Sequence, residues 1–216
     1  LKTVLETLAS IGEDSMDSPR KPSRQNVRDG ECTPSNSNFL RPCENGAYNI
    51  YHKILDTREH GIPHCRSRWY CVCIRKDVDD GSFEFPEPIP CMDLDSVLEK
   101  RNTVTPQFPN SNVITQMKKL KQLQKNPYKD TFVIDMDAAR SKVKAIEGLS
   151  PCITRSRYRG HWITSQSRRF TIEEMFRLQG MDHTKFCPAT SAAELGKQIG
   201  NSMSVNVLER IFCRAL

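Results

Sequence analysis

The stretch from Arg168 to Leu216 constrains the fold of this chain more than any other. In Arg168-Arg169-Phe170-Thr171-Ile172-Glu173-Glu174-Met175, Thr171 stands three residues before Glu174. At that spacing each side chain can bond the other residue's backbone N–H, which makes a capping box at a helix start. Phe170 before the cap and Met175 beyond it are placed to close a hydrophobic staple. Ile172, Met175 and Phe176 follow at i, i+3 and i+4 on one apolar face, and Gly180 supplies the stop. Ser191 and Glu194 repeat the capping spacing. The run they open is expected to break at Gly200-Asn201 and restart as a last helix burying Leu208, Ile211, Phe212 and Ala215.

The length of 216 residues suits one ordinary domain and a smaller one. No apolar run approaches membrane-spanning length, and the N-terminus lacks the basic-then-apolar layout of a signal peptide. No membrane is therefore expected as a partner. Nine cysteines, an odd number without framework spacing, read as reduced thiols of an intracellular protein. The clustering of His60, His64, Cys65, Cys71 and Cys73 completes no four-ligand set, and no metal is expected. Between Ser111 and Phe170, 13 Lys and Arg face 4 Asp and Glu, while the remainder is slightly acidic. A basic segment of that kind suits a polyanionic partner, and a solvated lysine face is the bland alternative.

Taken in order, residues 1–12 read as a short helix, and 13–46 as a mobile insertion rich in Ser, Pro, Asn, Arg and Asp. Asn49 to Leu55 alternates as a half-buried strand. Glu59 to Pro63 makes a turn, and Trp69 to Ile74 reads as a strand apolar enough for a buried sheet. Asp77 to Pro90 is a connector, and Asp93 to Lys100 a short helix. A further helix carries Val113, Met117, Leu120 and Gln124 on one side and stops at Pro127. Phe132 to Ile134 is a strand candidate. Ile153 to Ile163 is another, in which Arg155, Arg157 and Arg159 would share one face.

Several of these stretches resemble the DNA cytosine-5 methyltransferases. Arg169-Phe170-Thr171-(x)2-Glu174-(x)2-Arg177-Leu178-Gln179-Gly180 resembles the family's ninth motif, and Lys197-Gln198-Ile199-Gly200-Asn201-Ser202-Met203-Ser204-Val205 its tenth. Gly61-Ile62-Pro63-His64-Cys65-Arg66-Ser67-Arg68 is similar to the eighth, with His64 where the family has glutamine. The cofactor loop Phe-x-Gly-x-Gly, the nucleophile's Pro-Cys-Gln and the Glu-Asn-Val motif do not occur. Pro42-Cys43, Pro90-Cys91 and Pro151-Cys152 lack the flanking glycines and read as coincidental.

The resemblance implies an α/β fold: the C-terminal portion of a Rossmann-like methyltransferase sheet with a small target-recognition domain inserted. Residues 1–76 would end the catalytic domain, 77–167 form the target-recognition domain, and 168–216 supply the helices that complete the catalytic domain. The implied activity is methyl transfer from S-adenosyl-L-methionine to C5 of cytosine in double-stranded DNA. The chain would act as a C-terminal fragment needing the N-terminal catalytic portion of the same enzyme. By position, Arg68 is expected to contact cytosine O2, and Arg66 to contact phosphate or brace the catalytic loop. Asn201 and Ser202 would close the methionine end of the cofactor pocket, and Thr154, Arg155, Arg157 and Arg159 would meet DNA. A catalytically inactive DNA-binding relative and a tRNA cytosine-5 methyltransferase relative stay open as alternatives.

Overall fold

The computed structural model describes Val4 and residues 46–100 and 107–216. The helix expected over 1–12 (Val4 apart), the insertion up to residue 45 and the Pro42-Cys43 pair lie outside the described residues. The chain is mixed α/β, and it divides into two compact units: residues 1–54 with 69–84, and residues 55–68 with 85–216.

Strands β1 (Tyr48–Asp56) and β2 (Ser67–Arg75) form a two-stranded sheet. The first unit is tied by Asp79, whose carboxylate accepts from Asn49 Nδ2 at 2.6 Å and from the Tyr51 hydroxyl at 2.8 Å. Tyr51 also meets Phe83 edge-on, with ring centroids 5.0 Å apart. In β2 only Tyr70 is buried, so this strand is half-buried, not enclosed as its run of apolar residues suggests. An apolar run reads the same with one covered face or two, and here β1 is the one pairing strand among the described residues.

The second unit holds the helices and a four-stranded sheet. Helix α1 (Ser111–Gln122) is capped by Asn110, whose side chain accepts from Val113 N at 3.0 Å. Strands β3 (Phe132–Ile134), β4 (Ala145–Glu147), β5 (Trp162–Ile163) and β6 (Arg168–Arg169) pair antiparallel in the order β4-β3-β5-β6. One side of β3 and β5 packs on α1 through Val113, Ile134, Met136, Val143 and Trp162. The main core gathers Ile62, Leu94, Val133, Ile153, Ile163, Phe170, Met175, Leu178 and Ile199. The element expected over Asp93–Lys100 shortens to one 3-10 turn, Leu94–Ser96, which still buries Leu94.

Helix α2 (Ile172–Leu178) starts at the expected capping box, with both reciprocal bonds formed, and Phe170 and Met175 lie in one buried cluster. The box is also welded to β6. Arg168 and Glu174 are both fully buried and bond bidentately at 2.7 and 2.8 Å, and Glu174 also accepts from the backbone N–H groups of Thr171 and Glu99. Helix α3 (Ala192–Asn201) carries half of the second box, since Ser191 accepts from Glu194 N while the Glu194 carboxylate turns to Lys197. The chain breaks at Ser202–Ser204, slightly beyond Gly200-Asn201, and resumes as α4 (Val205–Ala215). That helix buries Val207 and Ile211, whereas Phe212 is 57 % exposed. The buried face is rotated from the expected one because Asn206 and Arg210 are drawn to His60, at 2.8 and 2.7 Å.

Residues 153–163 are not one strand. Arg155–Arg157 is a 3-10 turn, Gly160 has a φ of 76°, and only Trp162–Ile163 extends. The turn lies directly on α3, where an added Cβ on Gly196 would stand 2.2 Å from Tyr158 O and one on Gly200 2.4 Å from the Thr154 carbonyl. No side chain fits at such distances, so both glycines are required by close approach. Gly200→Ala is expected to lift the turn off α3 at a cost of about 1–3 kcal/mol, as overpacking does. Urea unfolding checks this, and a midpoint equal to that of the parent chain would contradict the contact.

Candidate functional site

Two segments distant in sequence are clipped together by their backbones. Gly61, with a φ of 95°, turns the chain so that Pro63 to Cys65 runs beside Ser150. Ser150 N donates to Pro63 O and Cys65 N donates to Ser150 O, both at 2.8 Å. This alignment brings Arg66 and Arg68 against residues 152–154.

His64 locks the clip. Its ring is fully buried, with Nδ1 2.9 Å from Leu178 O and Nε2 3.0 Å from Ile153 N. Those partners fix the tautomer: Nδ1–H donates to the carbonyl and Nε2 accepts the amide N–H. Burial, followed by the nearby Arg66 charge, pushes its pKa down to about 3, so the ring is neutral. A glutamine amide likewise offers an N–H donor and a carbonyl acceptor from one side chain, so histidine at this position keeps the bonding pattern.

Arg66 is only 2 % exposed, and its guanidinium binds carbonyl oxygens. Nη1 donates to Ile153 O at 2.6 Å, and Nη2 donates to Gly200 O at 3.2 Å and Ser202 O at 2.5 Å. Gly200 and Ser202 stand at the C-terminal end of α3, where carbonyls lack partners within the helix and carry the negative end of its dipole. A buried cation is thus balanced by aligned partial charges.

Arg68 stands at the edge of the same cluster, half-buried. Its Nη1 donates to Ser67 O at 2.7 Å and its Nη2 lies 3.4 Å from Cys152 Sγ. The same sulfur is 3.6 Å from Arg66 Nη1, so one thiol sits between both arginines. The other N–H groups of Arg68 have no partner among the described residues.

The remaining expected residues divide into two groups. Thr154 follows the segment held by Arg66, and its hydroxyl pairs with Ser156 Oγ at 3.0 Å. Ser202 is anchored through its carbonyl, and its hydroxyl donates to Ile199 O at 2.7 Å. Asn201 is exposed beside it, and its amide makes no bond to the described residues. Arg66, Arg68, Thr154, Asn201 and Ser202 therefore gather where segment 152–154 meets the end of α3.

Arg155, Arg157 and Arg159 do not share a face as a strand would make them. Arg157 Nε lies 2.7 and 2.8 Å from the two oxygens of Asp135, and Arg159 packs on the Tyr158 ring at 5.3 Å. Burial alone would raise the Asp135 carboxyl, but His161 and Arg157 beside it hold it down at about 2. Arg155 is exposed.

Sequence reasoning set Cys152 aside as part of a coincidental Pro-Cys pair, and passed over the bonding role of His64 and Lys197, which lies over the Tyr158 ring at 5.7 Å. Gly196 and Gly200, four apart on one helix, were the available sign that a backbone crosses α3 there.

The C-5 cytosine-specific DNA methylase family matches residues 31–215, and the chain belongs to that family. It is similar to the type II methyltransferase M.HhaI of Haemophilus parahaemolyticus, 26 % identical over 179 residues, covering 76 % of this chain and 52 % of the relative. It is similar also to M.HaeII of Haemophilus aegyptius, 31 % identical over 166 residues (76 % of this chain, 49 % of the relative). M.NgoBI of Neisseria gonorrhoeae is 32 % identical over 163 residues, or 75 % of this chain and 49 % of the relative. Among solved structures, an Entamoeba histolytica methyltransferase superposes with a TM-score of 0.49 at 17 % identity, covering 79 % of this chain and 55 % of that one. The chain spans about half the length of the curated relatives it matches.

His64 gives this site a pH signature. Its ordinary pKa is 6.5 and its folded pKa about 3, so between those values the unfolded chain binds more protons. Stability is then full above pH 6.5 and falls as the pH drops toward 3, by on the order of 5 kcal/mol if the whole shift is expressed. His64→Gln, which keeps a donor and an acceptor without a titrating group, is expected to flatten this acid limb. Urea midpoints at pH 7 and pH 4.5 for both chains test it, and an equal acid loss in both would remove His64 as its source.

Proposed function

We propose that this chain supplies target recognition and completes the cytosine and cofactor pocket of a DNA cytosine-5 methyltransferase. In this reading the nucleophilic cysteine comes from the catalytic portion preceding these residues in the same enzyme. The observation that carries the proposal is the Arg66 guanidinium, which joins the resembled eighth and tenth motifs through the Gly200 and Ser202 carbonyls. The same side chain holds Ile153, so the segment leading to Thr154 is positioned with them. Residues 77–167 act as the target-recognition part and 168–216 as the helices returning to the catalytic domain. Duplex DNA is the substrate.

Family members use S-adenosyl-L-methionine, and the residues at the end of α3 fit its zwitterionic end. The Asn201 amide is exposed and has no partner among the described residues. Ser204 directs its hydroxyl to Gln179 and Thr57, away from its own helix start. Asn201 and Ser202 would hold the amino-acid end of the cofactor, which when bound supplies an electrophilic methyl group.

The roles of the chain's own residues follow from their environments. Arg68 keeps N–H donors that have no partner among the described residues, beside a rigid neighbour, and is suited to cytosine O2. Negative charge grows on that side of the ring when C6 is attacked, so a fixed cation there stabilises the transition state more than the ground state. Arg66, buried and bonded to three carbonyls, positions Arg68's neighbours without reaching substrate. A base must leave the duplex to be reached by such a pocket, because its reacting carbon is covered in the stack.

The test is single-turnover methyl transfer to duplex DNA by the enzyme assembled from this chain and its preceding catalytic portion. Arg68→Ala is expected to slow transfer about ten- to a hundredfold, the effect of losing one charge-assisted hydrogen bond worth roughly 1.5–3 kcal/mol. Arg68→Lys, which keeps the charge and loses the planar fork, should recover part of the rate. An unchanged rate in Arg68→Ala would place the wrong arginine on the base, and no transfer by the assembled parent enzyme would overturn the activity.

A further inference from the structure

An open groove of about 460 Å³ lies where the Arg155–Arg157 turn meets α3, lined by Arg155, Ser156, Tyr158 and Lys197. We propose that Arg155 and Lys197, set around Tyr158, form a clamp for a single phosphate of the target DNA strand, next to the extruded nucleotide. The inference rests on the DNA-methyltransferase reading and goes beyond it by giving a role to a residue of the tenth-motif helix, Lys197, that the reading does not use.

Four observations support the clamp. First, it is rigid: the close approach of Tyr158 O and the Thr154 carbonyl to Gly196 and Gly200 fixes the turn on α3. The spacing between Arg155 and Lys197 is therefore set by packing. Second, the groove gathers positive charge. Lys197 Nζ lies 5.7 Å from the Tyr158 ring centroid, and Arg159 lies 5.3 Å from it and donates from Nε to the phenol oxygen at 3.0 Å.

Third, the cations of the clamp are available. Arg155 is exposed, and the acid beside Lys197 is Glu194, 2.5 Å away in a surface pair with side chains 32 % and 52 % exposed. Exposed pairs of this kind contribute little, so a phosphate can displace the carboxylate. Arg157 is different, because Asp135 holds it on both oxygens. Fourth, the location is right. Cys152, which touches Arg68, precedes Arg155 by three residues, a span of at most about 11 Å. The groove therefore lies on the same short segment that leads to Arg68, the side on which the extruded base is proposed to sit.

The experiment measures affinity for fluorescein-labelled duplex DNA by anisotropy across a range of salt concentrations, using the whole chain. Each ionic phosphate contact contributes about 0.9 to the slope of log K against log salt. Two cations on one phosphate share that contribution, so Arg155→Ala, Lys197→Ala and the double variant are each expected to lower the slope by about one unit, without adding. Lys197→Arg should retain the parent slope. Arg214→Ala, an exposed cation at the end of α4, should leave the slope unchanged, and Arg157→Ala, which loses the pair with Asp135, should lower the thermal midpoint. Parent slopes in Lys197→Ala and Arg155→Ala would overturn the clamp, and so would losses that add to two units, which mean two separate phosphates. Weakened binding of inorganic pyrophosphate with DNA binding intact would also overturn it. Absence of DNA binding by the parent chain would instead overturn the DNA reading beneath it.

Discussion

The candidate site depends on the buried guanidinium of Arg66. A cation removed from water is costly unless its N–H groups are satisfied. Its partners are the carbonyls of Ile153, Gly200 and Ser202. Two of these belong to the end of α3, whose dipole places partial negative charge where the guanidinium sits. The interaction answers two needs together: the charge is compensated, and helix-end carbonyls that would lack donors are bonded. Three chain segments are thereby fixed at one point.

Around that point the packing is of close backbone contact. Gly196 and Gly200 let the 154–158 turn lie on α3, and His64 bonds Leu178 at the end of α2 and Ile153 in the clipped segment. The buried Arg168–Glu174 pair anchors the start of α2 to β6 and to the backbone of Glu99. Each of these groups would be expensive to bury alone, and each is buried with its partner. The result is a rigid floor from which Arg68, Arg155, Lys197 and Asn201 project with capacity for further bonds. Rigid support beneath a few available polar groups is what precise placement of a base or phosphate requires.

Much of this was legible in sequence where the signal is local. The capping box at Thr171 and Glu174, the stop at Gly180 and the strand at Phe132–Ile134 involve residues within a few positions of one another, and all formed as expected. Local signals failed where a distant segment intervened. Alternating arginines at 155, 157 and 159 suggest a strand, but α3 and Asp135 pull that stretch into a turn. The spacing in α4 pointed to Leu208, Ile211, Phe212 and Ala215; Ile211 is buried as expected, but with Asn206 and Arg210 bonded to His60 the face turns to bury Val207 and leaves Phe212 exposed.

By itself the sequence determined the family, the order of elements in the last quarter of the chain, and the residue types at the site. Those follow from short-range spacing, which is a property of the chain alone. Tertiary structure decided what each residue does there. Two arginines a residue apart in one strand start become a buried brace and a half-exposed donor, because only Arg66 faces the end of α3. Cys152 comes to lie between them because Pro63 to Cys65 pairs with Ser150 across more than eighty residues of intervening chain. No spacing within either segment encodes that pairing, since it is set by which backbone groups are left to satisfy once the core has closed.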